Sequence, residues 1–270
     1  MNTLITSEQI AFYRENGFII LENFLALAEA EELRAAVADA VAQMGQQKVA
    51  GEGNQALVAG ESYYDKVFVQ RLNLWKIDPT VKKYFLSAEL GEMLCKLTGA
   101  RGMRVWHDQT LQKQPWANPT AWHLDNPYWS FHSRQAISIW VALDDATLQN
   151  GCMHYLPGSH KLARFDNVDI GQNMDALFQH YPEFRNLEPV AAVMKAGAAG
   201  LHNGLTAHAA GPNMTPRWRR AMTCAYMPEG ATFNGIQNIL SQEQVAKLKL
   251  GDLLNDESQN PLLYKQAPRF

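Results

Sequence analysis

The stretch "TAWHLDNPYWS" (120–130) sets His123 and Asp125 two residues apart among tryptophan and tyrosine. In an extended segment, residues i and i+2 share a face. An imidazole nitrogen and a carboxylate oxygen then converge on one point. A third ligand from a distant strand would complete one face of an octahedron around an ion. That set leaves three positions open, the arrangement by which proteins hold a reactive non-haem Fe(II). The same two residues also suit a plain hydrogen-bonded His–Asp pair, and local spacing does not choose between the two. For the third ligand, "LHNGLTAHAAGPN" offers His202 and His208. They lie six residues apart, so strand parity does not separate them. Arg219 follows eleven residues after His208, at the start of an expected strand. Buried there, a guanidinium would pair in bidentate fashion with a carboxylate of a bound diacid. Exposed there, it would be one of a basic turn's solvated or ion-paired arginines.

Other polar groups have simpler explanations. Asp144 and Asp145 precede "ATLQNG" and read as turn caps. Ser159 and His160 in "PGSH" sit in no nucleophile elbow. The glycines of "AGEG" and "GAAG" lack the spacing of a phosphate-binding loop. Cys95, Cys152 and Cys224 stand in apolar runs and read as buried free thiols. Trp106, Trp116, Trp122, Tyr128, Trp129 and Phe131 crowd around the His–Asp segment. Some must be core; others are candidates for the apolar wall of a substrate pocket.

The elements that must position these groups change character along the chain. The first hundred residues are patterned as helices, at "SEQIAFYRENG", 27–44 and 79–99, with a short strand at 18–24 and a loop over 45–61. From about residue 101 the pattern is of strands: "MRVWHDQTLQK", "QAISIWVALDDA" and "RRAMTCAYMPEG". A short helical pattern returns in 240–257. The expected class is α+β with a mainly β core, enough strands for a barrel or sandwich. The expected organisation is one domain over 1–270, with a helical layer 1–100 and a barrel core about 101–235. At 270 residues, 47% hydrophobic and 19% charged, the chain can bury a large core. A net charge of -3 gives no basis for nucleic-acid binding. No apolar run is long enough to cross a bilayer, and the first residues lack a signal-peptide pattern. A cytoplasmic protein is expected.

Several motifs together resemble the phytanoyl-CoA dioxygenase family of Fe(II)- and 2-oxoglutarate-dependent oxygenases. Phe12, Gly17, Phe18 and Phe24 fit its opening, and Trp122, His123 and Asp125 its W-H-x-D motif. "WVALDDATLQNGCMHYLPGSH" (140–160) fits its central strand and turn. His208, Asn213, Arg219, Arg220 and Ala221 fit the distal motif, and "YMPEG" suits the closing strand. The resemblance implies a double-stranded β-helix, a jelly-roll, cupin-like barrel flanked by N-terminal helices. It implies His123, Asp125 and His208 as iron ligands, Arg219 on the far carboxylate of 2-oxoglutarate, and His202 off the metal. Lys113 falls where many relatives keep a lysine near the cosubstrate, although Thr110 or Gln112 could equally face the pocket. The implied cofactors are Fe(II), 2-oxoglutarate and O2. Halogenating relatives replace the ligand carboxylate with Gly or Ala; Asp125 therefore points to hydroxylation or a related oxidation such as desaturation. The expected substrate is a small molecule with apolar surface, a natural-product intermediate or an acyl-CoA. A cupin-type metalloenzyme working without 2-oxoglutarate and a non-catalytic ligand-binding barrel are the alternatives.

Overall fold

The computed structural model describes residues 1–57, 63–166 and 168–267. Helix α1 (Ser7–Asn16) starts where Thr6 and Gln9 exchange side-chain-to-backbone hydrogen bonds, a capping box. It stops at Gly17, whose φ of 80° is left-handed. Strand β1 (Phe18–Leu21) follows, then α2 (Leu27–Met44). The buried residues of α2 are Ala30, Leu33, Val37, Ala40 and Met44, spaced three or four apart as a one-sided helix requires. After β2 (Val69–Leu72), the helix expected over 79–99 is two helices, α3 (Pro79–Phe85) and α4 (Ala88–Thr98). Ser87 breaks them apart by turning extended and capping the amide of Leu90. The expected loop at 45–61 carries no helix or strand over 45–57; its last four residues lie outside those described.

The remaining strands are β3 (Gly102–Lys113), β4 (Thr120–His123), β5 (Ile137–Ala142) and β6 (Met153–Tyr155). Short helices α5 (Ser159–Leu162) and α6 (Ala176–His180) precede β7 (Val190–Ala192), β8 (Ala199–Asn203), β9 (His208–Ala210) and β10 (Arg219–Pro228). The helical pattern expected over 240–257 forms only α7 (Gln242–Ala246), and β11 (Leu262–Lys265) is the last described element.

The expected α+β composition and helical flank are present, but the barrel is not. Among the described residues the strands make two separate antiparallel sheets. The larger runs β1-β8-β5-β10-β3-β11, with β2 also paired to β3; the smaller runs β4-β9-β6-β7. No strand belongs to both. The smaller sheet is built of strands of three or four residues, and none of them hydrogen-bonds to an edge strand of the larger one. The sheets meet through side chains instead. Trp140, Ala142 and Ala221 of the larger sheet pack with Met153, Tyr155 and Ala210 of the smaller.

The larger sheet is buried on both faces, so β5 reads apolar almost throughout. Alternation still sorts its side chains. Ile137, Ile139 and Val141, with Met222, Cys224 and Tyr226 of β10, face the helices. Each such large side chain contributes about 1.5–3 kcal/mol by leaving water. Ser138 and Trp140 of β5 and Arg219, Thr223 and Ala225 of β10 line a cavity on the opposite face. From the N-terminal hundred residues, β1 forms the edge of this sheet against β8.

Candidate metal centre and substrate cavity

His123 closes β4 and pairs in register with His208 at the start of β9, bringing their ring centroids to 4.1 Å. Asp125 comes to them by a turn rather than by an extended i, i+2 step. Its backbone is helical (φ -80°, ψ -50°). The amides of Asp125 and Asn126 both donate to the carbonyl of Gly204, at 3.1 and 2.8 Å, and Asn126 ties the loop onward to Phe131 and Ser133. The donor atoms of His123, Asp125 and His208 all lie within 4.8 Å of one another. Asp125 Oδ1 is 3.7 Å from His123 Nε2 and 3.6 Å from His208 Nε2.

The surroundings of this trio set its chemistry. His123 Nδ1 lies 2.8 Å from the carbonyl of Ala121, and His208 Nδ1 lies 3.0 Å from that of Thr206. A carbonyl only accepts, so each Nδ1 carries the proton and each Nε2 offers a lone pair. Burial holds both imidazoles below their ordinary range, and the neighbouring His123 adds to the effect on His208. Burial alone would push the Asp125 carboxyl up. The imidazoles of His208, His202 and His123 around it, His202 through a hydrogen bond, outweigh burial and hold the carboxyl well below the ordinary range. Two neutral imidazoles and one carboxylate form the 2-His-1-carboxylate facial triad that suits Fe(II). Asp125 Oδ2 points away from the trio, accepting from Ser138 Oγ at 2.7 Å and His202 Nε2 at 3.1 Å. His202 thus stands behind the carboxylate.

Arg219 lines the same cavity at 2% exposure. Its guanidinium lies 5.1 Å over the Trp140 ring, reaches the Leu111 carbonyl only at 3.5 Å, and leaves buried Nε without a hydrogen-bond partner among the described residues. The adjacent Arg220 takes the nearby acid, holding Asp144 at 2.7 and 2.8 Å. A buried guanidinium with unsatisfied donors calls for an anionic guest. Lys113 is the cross-strand neighbour of Arg219 and fully buried, but it does not line the cavity; its Nζ donates to the Asn118 carbonyl at 2.5 Å. Thr110 and Gln112 do not line it either, whereas Gln109 and Leu111 do.

Of the six aromatic residues singled out in the sequence, Trp129 lines the cavity and the other five do not. Trp106 and Phe131 pack edge to face in the core, 5.5 Å apart. Trp116 is 64% exposed. Trp122 packs against Phe178 on the outer side. Tyr128 turns its hydroxyl to the Val168 carbonyl. The walls also include Phe68, His107, Trp140 and Met153, which sequence proximity to the His–Asp segment did not reveal. For Trp140, alternation along β5 was the available signal.

Comparison with known proteins agrees with this geometry. A solved structure similar to this chain is the non-heme alpha ketoglutarate dependent carbocyclase SnoK from nogalamycin biosynthesis, at 27% identity and a TM-score of 0.76, covering 96% of each chain. Dioxygenase lolE1 of Epichloe uncinata is 29% identical over 232 residues, 82% of each protein. The peroxisomal phytanoyl-CoA dioxygenase of Homo sapiens is 24% identical over 263 residues, 93% of this chain and 76% of that protein. The peroxisomal relative overturns the expectation of a cytoplasmic protein, because the lack of a secretory pattern does not distinguish cytosol from organelle. Among the described residues no helix is long and apolar enough to cross a membrane. The family model for phytanoyl-CoA dioxygenase (PhyH) matches residues 13–221, a span running from α1 through both histidines and Asp125 to the first residues of β10. With that match laid over the facial triad, this chain belongs to the phytanoyl-CoA dioxygenase family.

Proposed function

We propose that this Fe(II)- and 2-oxoglutarate-dependent oxygenase hydroxylates a C–H bond of an apolar or aromatic small molecule. His123 Nε2, Asp125 Oδ1 and His208 Nε2 would hold the iron, and Arg219 the far carboxylate of 2-oxoglutarate. The observation that carries the reading is the tautomer lock: two backbone carbonyls fix both Nδ1 protons, so both Nε2 lone pairs meet one carboxylate oxygen. When bound, Fe(II) supplies oxidation by O2, in which 2-oxoglutarate is converted to succinate and CO2 and one oxygen atom enters the substrate C–H bond.

The chain's own groups do the rest. Ser138 and His202 occupy Oδ2 of Asp125 and leave Oδ1 for the metal. Arg219 fixes the long axis of 2-oxoglutarate, and its unsatisfied Nε is a reason to prefer this reading over a cupin-type enzyme that needs no diacid. Trp129, Trp140 and Phe68 exclude water from the space where the C–H bond must lie. Lys113, standing beside Arg219 with its Nζ on the Asn118 carbonyl, supports the strand pair that carries Arg219 rather than touching the cosubstrate. Asp125 keeps all three protein ligands in place, which favours hydroxylation over halide transfer. The whole chain 1–270 is read as one catalytic domain, since β1 and β2 complete the sheet that carries Arg219.

The test is anaerobic addition of Fe(II) and then 2-oxoglutarate to the full chain. A weak visible charge-transfer band is expected, lost in Asp125→Ala, together with substrate-stimulated succinate release. Folded protein that gives no band would overturn the reading, as would an Asp125→Ala variant that hydroxylates normally.

A further inference from the structure

One rung of the larger sheet crosses four strands: His202 on β8 pairs with Ser138 on β5, Ser138 with Ala225 on β10, and Ala225 with His107 on β3. All four line the cavity. The first two grip Asp125. Ala225 carries only a methyl group, so the rung has a gap in its middle. His107 stands beyond the gap, two strands from Ser138 and therefore roughly 10 Å away. A molecule lying in the gap touches the metal end on one side and His107 on the other.

His107 is placed there by a fault in the strand. The β3–β10 register shifts between Ala225 and Tyr226: Ala225 pairs with His107, Tyr226 with Val105, and Trp106 is the extra residue. Met103 and Val105 therefore face the helices, whereas His107, Gln109 and Leu111 face the cavity. Without the bulge, strict alternation would put His107 on the side of Val105. Bulges re-aim side chains beside active sites. Trp106 and Trp129 then brace the imidazole, with ring centroids at 6.3 and 6.4 Å. Nδ1 of His107 faces the Asp108 carbonyl at 3.4 Å, and among the described residues Nε2 has no protein partner. Burial lowers its pKa to about 4, so the ring is neutral in ordinary buffers. Its tautomer, with Nδ1 toward the carbonyl, leaves Nε2 as an acceptor. Among the described lining residues Arg219 is the one Lys or Arg, and under the proposed function it is assigned to 2-oxoglutarate.

We propose that His107 is the specificity-determining residue: its Nε2 accepts a hydrogen bond from a hydroxyl on an uncharged, ring-bearing substrate lying over Ala225 beside Trp129. The assignment deepens the oxygenase reading and rests on it for the position of the metal. A buried acceptor built for a hydroxyl discriminates strongly against the analogue that lacks one, which leaves it unpaired.

The experiment is calorimetric titration of the full chain, with and without Fe(II) and 2-oxoglutarate under anaerobic conditions, using 2-naphthol and the similarly sized 2-methylnaphthalene as probes. Wild-type protein should bind 2-naphthol about tenfold more tightly. His107→Phe should bind both alike, and His107→Gln, which keeps an acceptor, should recover part of the difference. Thermal unfolding checks that each variant is folded. A preference for 2-naphthol that survives in folded His107→Phe would overturn the assignment, as would wild-type protein that binds neither probe or binds both equally. The metal-free arm keeps this outcome separate from a failure of the oxygenase reading, which would show as a missing charge-transfer band while the 2-naphthol preference persisted.

Discussion

His202 Nε2 donates to Asp125 Oδ2 at 3.1 Å, while the opposite oxygen of that carboxylate faces His123 and His208. One histidine supports the carboxylate, and two are placed to share one metal ion with it. The roles of His202 and His208, inseparable by spacing, therefore differ in kind. His202→Asn should weaken Fe(II) binding by about 10–100-fold and leave the charge-transfer band recoverable at higher iron. His208→Ala should abolish the band at any iron concentration. Iron titrations of the two variants decide it; equal loss in both would place His202 on the metal.

Among the described residues, buried Arg219 has an Nε without a partner and no carboxylate in hydrogen-bond reach. Truncating one member of a buried charge pair costs about 2–5 kcal/mol, so Arg219→Met should raise the 2-oxoglutarate KM by about thirtyfold or more. Arg219→Lys should recover little, because a lysine cannot form the two-pronged contact. Initial rates of succinate release at varied 2-oxoglutarate measure both. An unchanged KM would remove Arg219 from the cosubstrate.

Lys113 is enclosed beside Arg219. Burial, and then the charge of Arg219, bring its pKa down to about 6 from 10.5. Between those pH values the unfolded chain binds a proton that the folded chain does not. The stability lost to this burial returns as pH rises through the window. Lys113 thus adds a positive slope of at most about 1.4 kcal/mol per pH unit from about pH 6 to pH 10. Lys113→Met should flatten that slope and be the more stable protein at pH 7. Urea unfolding at several pH values tests it; parallel curves would show that Lys113 stays charged in the folded state.

The legible part of this molecule was what periodicity and caps encode. The Gly17 stop and the one-sided spacing of α2 each depend on residues close together in sequence, and α2 forms over 27–44 as expected, while the first helix starts at Ser7 with its cap on Thr6. Ser87 splits α3 from α4 by a cap that competes with a continuous helical pattern. Sheet closure is decided by pairing between distant strands, which local pattern does not report, and here no strand of β4-β9-β6-β7 pairs with the larger sheet. The aromatic wall shows the same limit. Trp106 is close to the iron motif in sequence yet packs in the core, while Phe68 and Trp140 come to the cavity from other elements. His107 was hidden because a bulge reverses the alternation that sequence reading relies on.

Asp108, next along β3, shows how a buried acid can be structural. Its two carboxylate oxygens accept the amides of Leu74 and Trp75, each at 2.7 Å. Asp108→Asn supplies one oxygen and one NH2, so one of those amides would face a donor instead. The variant should lose about 1–3 kcal/mol of stability and leave the affinity for 2-oxoglutarate near wild type. Denaturant midpoints and 2-oxoglutarate titration check the two halves of this statement.

Gly17 joins the N-terminal helix to the metal centre. Its carbonyl accepts Thr206 Oγ1 at 2.7 Å and the Asn203 amide at 2.8 Å, and the Thr206 carbonyl orients His208. A Cβ at Gly17 would come within 2.4 Å of Thr206 Oγ1 and of His160 Nδ1, on a backbone already left-handed at φ 80°. Gly17→Ala should therefore cost about 1–2 kcal/mol for the backbone and a further 1–3 kcal/mol for the clash. It should also weaken Fe(II) binding several-fold by shifting the carbonyl that fixes the His208 tautomer. Gly158 is the control. It has φ 77° but open space around its Cβ position, so Gly158→Ala should show the backbone cost alone and bind iron normally. Thermal melts and iron titrations of the pair separate strain from site geometry. Equal iron affinity in both variants would show that the helix cap and the His208 orientation are independent.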